Sequence, residues 1–300
     1  MLNNKLSFFR IFMFSGILLI NSCTEVGPGI ELIPSTLGVG SDTAYTTAIE
    51  NPATKKVLAE EFTGVSCPPC PNGHKLMASI YDQLNGNLVV ISYHIKNYPQ
   101  TAPVEKDGQL ISKYDFRTDD ATDIGKTLFN GISAIPAASF DRTAVSGELL
   151  FSTPKWPNAA QVRASEKSPV NIHLASSYSD STREAILKLK FAYTSEVLTN
   201  HNYTVGVIED SIIDAQKKDL EIIKEYVHKH VLRDIITPIY GTPVPDKVKP
   251  FIPGKVYEHS IRYTLDSSWK ASHCSFVVFL HNSDGGNKEV LQAEEISVIN

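Results

Sequence analysis

Glu61-Phe62-Thr63-Gly64-Val65-Ser66-Cys67-Pro68-Pro69-Cys70 stands between a strand signal and a helix signal. Val57–Phe62, which leads into it, is a short run of strand character. After it, Leu76, Met77, Ile80, Tyr81 and Leu84 recur at the spacing of one helix face. Asn85-Gly86 then supplies a helix stop. Leu88-Val89-Val90-Ile91 follows as a continuous apolar run, the pattern of a parallel strand covered on both faces. Strand, helix and strand in this order predict a right-handed βαβ unit with two cysteines at the start of its helix.

That position gives the cysteines chemistry. Backbone N–H groups at a helix N-terminus have no partner within the helix and point at the Cys67 sulfur. The positive end of the helix dipole favours a thiolate there, and the thiolate is the form that attacks disulfides. Cys70 lies one turn inside, placed to resolve a mixed disulfide formed at Cys67. Pro68 and Pro69 fix φ and limit the geometry of the pair. Zinc sites also use Cys-x-x-Cys, but they want four ligands, and no second such pair exists. No metal and no other cofactor is therefore expected.

Working outward, residues 95–120 are polar and mixed and read as an insertion. A helix is expected over Ala121–Asn130, a strand over Ala137–Asp141 and a last helix from Pro157 to Lys167. Ser168-Pro169 breaks the pattern and marks a domain boundary. Beyond it the period becomes two: Val170/Ile172/Leu174, Leu187/Leu189/Phe191/Tyr193, Tyr257/His259/Ile261/Tyr263 and Cys274/Phe276/Val278/Leu280 form inward sets. Asp284-Gly285-Gly286-Asn287 is a hairpin turn. These strands predict a β-sandwich, with a short helix over Asp214–Lys224 inside a long loop.

Toward the N-terminus, Lys5 and Arg10 precede the apolar stretch Ile11–Ile20, which is too short to span a bilayer and matches a secretory signal. Residues 1–22 are read as that signal, residues 23–54 as a lipidated N-terminus and tether, residues 55–168 as the α/β domain and residues 169–300 as the β domain. The chain carries 42% hydrophobic and 20% charged residues with a net charge of −5. That balance excludes a disordered polyelectrolyte and argues against nucleic-acid binding, which needs a basic face. Four cysteines in 300 residues exclude a disulfide-dense scaffold.

Three resemblances add to this reading. Leu19-Ile20-Asn21-Ser22-Cys23 resembles the lipobox of bacterial lipoproteins, which implies cleavage before Cys23, its acylation, and attachment to the outer membrane through lipid. The Glu61–Cys70 run resembles the active-site strand and turn of the thioredoxin superfamily. Gly131-Ile132-Ser133-Ala134-Ile135-Pro136 resembles that superfamily's cis-proline loop. The match implies that Ile135 and Pro136, with Ser66, Pro68 and Pro69, face a substrate, and that Glu61 manages the proton of Cys70. Neighbouring strand residues point to opposite faces, so only one of Glu60 and Glu61 can lie under the pair. Val65 and Ser66 stand where aromatic residues are common, and Ala137 where threonine is common. Finally, Phe62-Thr63-Gly64, His74, Asp115-Phe116-Arg117, Asp141-Arg142 and Tyr226-Val227-His228-Lys229-His230-Val231-Leu232-Arg233 make the chain similar to the outer-membrane lipoprotein family named for a twenty-eight-kilodalton member. This resemblance implies a thioredoxin-like domain followed by an immunoglobulin-like β-sandwich.

The remaining candidates have plainer readings. His74, seven residues after Cys67 on the same helix face, either approaches the rim of the pair or is a packed or solvent-facing helix residue, the latter being the expectation. His228 and His230 share one face by strand alternation, and Cys274 is a small buried hydrophobe. Two functions follow. One is an envelope thiol–disulfide oxidoreductase whose partners are protein thiols and disulfides or another envelope redox protein. The other is a non-catalytic surface lipoprotein in which Cys67–Cys70 is a static bond and the β-sandwich binds other proteins.

Overall fold

Strand β2 (Val57–Phe62), helix α1 (Cys70–Gln83) and strand β3 (Leu88–Tyr93) form the expected unit in the computed structural model, which describes residues 38–299. β2 and β3 run parallel, with Val57 opposite Leu88 and Phe62 opposite Tyr93. Every residue of both strands is buried, because the sheet is covered twice. On one face Val57, Ala59 and Val90 pack with Met77 and Ile80 of α1 and with Trp156, Ala159 and Ala160 of helix α3 (Trp156–Ala164). On the other, Leu58, Phe62, Val89 and Ile91 pack with Ile124 of helix α2 (Asp119–Thr127). Trp156 is wholly buried and satisfies its indole N–H on the Phe151 carbonyl at 2.8 Å. α2 begins two residues earlier than expected because Thr118 caps it, accepting from the Ala121 N–H at 3.0 Å with Asp119 and Asp120 in the first turn. Strand β4 (Ala137–Phe140) pairs antiparallel with β2.

The C-terminal half supplies β5 (Val170–Ser179), β6 (Glu184–Tyr193), β7 (His201–Glu209), β8 (Ile212–Lys218), β9 (Glu221–His228), β10 (Val231–Ile235), β11 (Lys255–Thr264), β12 (Cys274–Asn282) and β13 (Val290–Ser297). With β1 (Gly38–Thr46), strands β11, β6 and β5 make a four-stranded sheet in the order β1-β11-β6-β5. It packs against β7 and β12 across a core that joins Leu187, Leu189 and Phe191 to Tyr203, Val205, Phe276, Val278 and Leu280. The inward sets expected from period two thus meet in one core, with Leu174 and His259 only partly buried.

The boundary expected at 168/169 does not divide the sheet. A nine-stranded sheet runs β13-β12-β7-β10-β3-β2-β4, completed among the described residues by two-residue strands at Phe151–Ser152 and Thr242–Pro243. The join is the parallel bridge of Val231 to Ser92, with the Ser92 N–H donating to the His230 carbonyl at 2.7 Å. β12 explains how one sheet serves two cores. Phe276, Val278 and Leu280 face the sandwich, while Val277 and Phe279 face the cluster of Leu58 and Ile91.

Two further expectations are corrected. The tether placed over 23–54 does not extend through its described part. Residues 38–46 are β1, paired antiparallel with β11, and Glu50 is held by Lys190, His173 and Asn171. Backbone pairing at an edge needs no apolar alternation, so this strand leaves no periodic signal. The helix expected over Asp214–Lys224 is instead the β8–β9 hairpin, whose Asp219 takes a φ of 52° at the turn. Tertiary contact overrode helical propensity there. The signal peptide at 1–22, Cys23 and the start of the tether lie outside the described residues.

Candidate functional site

Cys67 and Cys70 form a disulfide, with Cα atoms 5.4 Å apart, at the entry to α1. The turn that carries them is built backward from close approaches. Gly64 leaves no room for a side chain, since a Cβ there would lie 2.3 Å from the Gln100 carbonyl oxygen. The same oxygen accepts from the Ser66 N–H at 2.9 Å, so the insertion buttresses the turn. Cys67 N–H donates to the Gly64 carbonyl and Cys70 N–H to the Cys67 carbonyl.

The second buttress comes from the far half of the chain. The Gln216 amide of β8 donates to the carbonyls of Gly64 at 3.1 Å and Cys67 at 3.2 Å. Lys217 N–H donates to the Val65 carbonyl at 2.8 Å. Val65 itself packs with Ile212, Ala215 and Ile222 of the hairpin and with Val104 and Phe116 of the insertion. Under this cover both cysteines are 0% exposed. Ser66 and Pro68 are partly exposed and Pro69 is exposed.

Pro136 reaches the same helix end. The Ile135–Pro136 bond is cis. Its ring lies against Gly73 on the first turn of α1, where a Cβ would be 3.2 Å from the proline Cβ and from Trp156. Ile135 is buried in the cluster that includes both cysteines. The structure therefore gathers Cys67, Cys70, Ile135 and Pro136 at one end of α1.

Glu60 and Glu61 are both buried. The strand lies in a sheet covered on both faces, so alternation gives two interiors rather than one. Glu60 is locked by a bidentate Arg142 at 2.8 and 2.7 Å and by the Tyr93 hydroxyl at 2.9 Å. Glu61, 1% exposed, has the Ser92 hydroxyl at 3.5 Å and His74 Nε2 at 3.7 Å, and its Oε1 lacks a hydrogen-bond partner. Burial raises its pKa to about 8, against a slight opposing effect of Ser92.

Sequence reasoning set His74 aside, and the structure brings it beside Glu61. It stands one turn after Cys70, shares a hydrogen bond with Thr63 Oγ1 at 2.8 Å and another with the Tyr226 hydroxyl at 2.7 Å. Burial, then His228 and His230, lower its pKa. Its i+4 spacing from Cys70 was the available signal. Tyr226 lies 152 residues away; it stands in the run that carries the family resemblance, but nothing in the sequence tied it to His74. A cleft of about 750 Å³ opens here, with Glu61, His74, Ser92 and Tyr226 among its lining. His228 and His230 do not share a strand face: His228 is buried at the end of β9, and His230 sits in the following turn with a φ of 55°. Cys274 is buried among Phe276 and its neighbours, and burial pushes its thiol to about 12.

The family model described as outer membrane protein Omp28 matches residues 128–299, more than half of the chain. Among solved structures, HBP35 of Porphyromonas gingivalis is similar in fold, with a TM-score of 0.64 at 16% identity, covering 83% of this chain and 77% of that one. A protein from Agrobacterium tumefaciens gives a TM-score of 0.49 at 12% identity, covering 83% and 96%. A domain of the outer membrane lipoprotein Omp28 from Porphyromonas gingivalis gives 0.30 at 20% identity, covering 44% and 89%. No curated protein matches the chain.

Proposed function

The chain belongs to the Omp28 outer membrane protein family, and from that premise we propose that it is a thiol–disulfide oxidoreductase of the cell envelope, held at the outer membrane by lipid on Cys23. The family places it in that membrane. The carrying observation is the Cys67–Cys70 disulfide at the start of α1, with Pro136 packed against the first turn of the same helix. The reading takes the N-terminal half as thioredoxin-like and the C-terminal sandwich as immunoglobulin-like.

In the reduced form the Cys67 thiolate attacks a disulfide of a protein partner. One partner sulfur leaves as a thiolate and takes a proton. Cys70 gives its proton to the ionised form of Glu61 and attacks the Cys67 sulfur of the mixed disulfide, releasing the second partner thiolate. The partner gains two electrons and Cys67–Cys70 is oxidised; the reverse sequence oxidises a dithiol. The helix dipole favours the Cys67 thiolate. Ile135 and Pro136, with Ser66, Pro68 and Pro69, shape the surface met by the partner, which is a protein thiol or disulfide or another envelope redox protein.

The test is exchange with a model disulfide, alongside the Cys67 pKa. Turnover is expected from the wild type and none from Cys67→Ser. No turnover, with Cys67 titrating as a free thiol near about 8.5, overturns the reading. The burial of both sulfurs beneath Gln216 favours a second reading, a non-catalytic lipoprotein with a static bond and a protein-binding sandwich. A very low reduction potential, insensitive to cellular reductants, would select it.

A further inference from the structure

The cleft beside α1 has a volume within the range of ligand pockets, about 300–1,000 Å³. At its inner end Glu61 Oε1 is buried without a hydrogen-bond partner. The closest basic atom, His74 Nε2, is 3.7 Å away and is already engaged by Thr63 at 2.8 Å. A buried acceptor left open is costly, and a donor from outside would recover that cost.

Charge selects the donor. Beside Glu61, which burial keeps protonated up to about pH 8 so that an ammonium binds as this proton leaves, four carboxyl residues line the cleft, Asp82, Asp210, Glu294 and Glu295, against three lysines. Lys56 is tied to Glu294, and Lys75 and Lys229 are exposed. His74 and His230 both have pKa values lowered by burial and add no positive charge at neutral pH. Tyr226 and Tyr81 also line the cleft, and aromatic rings attract cations.

We propose that this cleft binds a primary ammonium group, which donates to Glu61 Oε1 beside Tyr226 and belongs to a small diamine or to a lysine side chain. A second feature bears on the source. β3 meets β10 at Ser92 alone. Ser92 turns its N–H toward β10, and alternate residues of a strand turn their N–H and C=O the same way. The backbone groups of Val90 and Leu88 therefore face the cleft, where an extended peptide carrying the lysine would find pairing partners. The site rests on the cleft and not on dithiol exchange, so the two readings fail separately.

The experiment uses the mature protein with its disulfide intact, following His74 and Tyr226 side-chain resonances by NMR. The probes are 1,5-diaminopentane, Nα-acetyl-lysine N-methylamide, the uncharged 1,5-pentanediol, and tetramethylammonium, which has no N–H. Saturable shifts are expected with both amines, with at least tenfold weaker binding of the diol and of tetramethylammonium. Glu61→Gln should weaken both amines at least tenfold. Tighter binding of the lysine derivative assigns the peptide source, and equal or weaker binding assigns the free amine. The proposal is overturned if neither amine saturates, if Glu61→Gln binds them as the wild type does, or if tetramethylammonium binds equally well. This last comparison needs no variant and stands even where Glu61→Gln does not fold.

Discussion

The two sides of β2 carry neighbouring carboxylates with opposite surroundings. Glu60 meets a guanidinium fork and a phenol, and Arg142 in turn lies 4.8 Å over the Phe279 ring of β12. Asp141 repeats the pattern nearby, bridged by Lys55 at 3.0 Å and Arg163 at 3.2 Å, while Lys55 also donates to the Val290 carbonyl. These contacts tie the two halves of the chain together. Glu61 has one weak hydroxyl contact, a distant imidazole and a cleft. Burial alone does not make a site; burial without compensation does.

The largest way to break the contrast is Glu60→Ala. It leaves Arg142 charged and buried, and the expected loss is about 3–5 kcal/mol by urea denaturation. A loss below about 1 kcal/mol would mean that water reaches the guanidinium and that the two sides are alike.

Glu61 should show itself in the pH dependence. Its folded pKa of about 8 lies above the ordinary 4.5, so the folded chain keeps a proton that the unfolded chain has given up. Stability from this group is complete below pH 4.5 and is lost as pH rises to about 8. The steepest slope is about 1.4 kcal/mol per pH unit. Glu61→Gln should flatten that fall, read from denaturation curves at several pH values; an unchanged slope would place the proton elsewhere.

The smallest effect is expected at Gln216→Ala. Loss of the amide donors to Gly64 and Cys67 should cost about 1 kcal/mol. Loosening the cover by that amount should speed reduction of the disulfide by dithiothreitol about fivefold. An unchanged rate would show that the hairpin does not govern access.

Local signals in the sequence led to the strand–helix–strand unit, to the prolines and glycine of the cysteine turn, and to the inward sets of the sandwich. Each of these is written within ten or so neighbouring residues. Contacts between distant residues were not legible. Gln216 and Tyr226 join the site through a hairpin whose residues read as helical, and β1 adds to an edge by backbone pairing that any sequence can make. The resemblance to the thioredoxin active-site strand implied Glu61, whereas its link to His74 depended on how α1 lies over β2.

The Gln216 clamp also sets an order of events. Gln216 lies 149 residues after Cys67. A chain made from its N-terminus exposes both cysteines long before their cover exists. The sulfur pair therefore passes through an open interval during synthesis and export, and any oxidant acting then meets it unshielded. The finished molecule keeps the result of that encounter under a lid that its own last half brings.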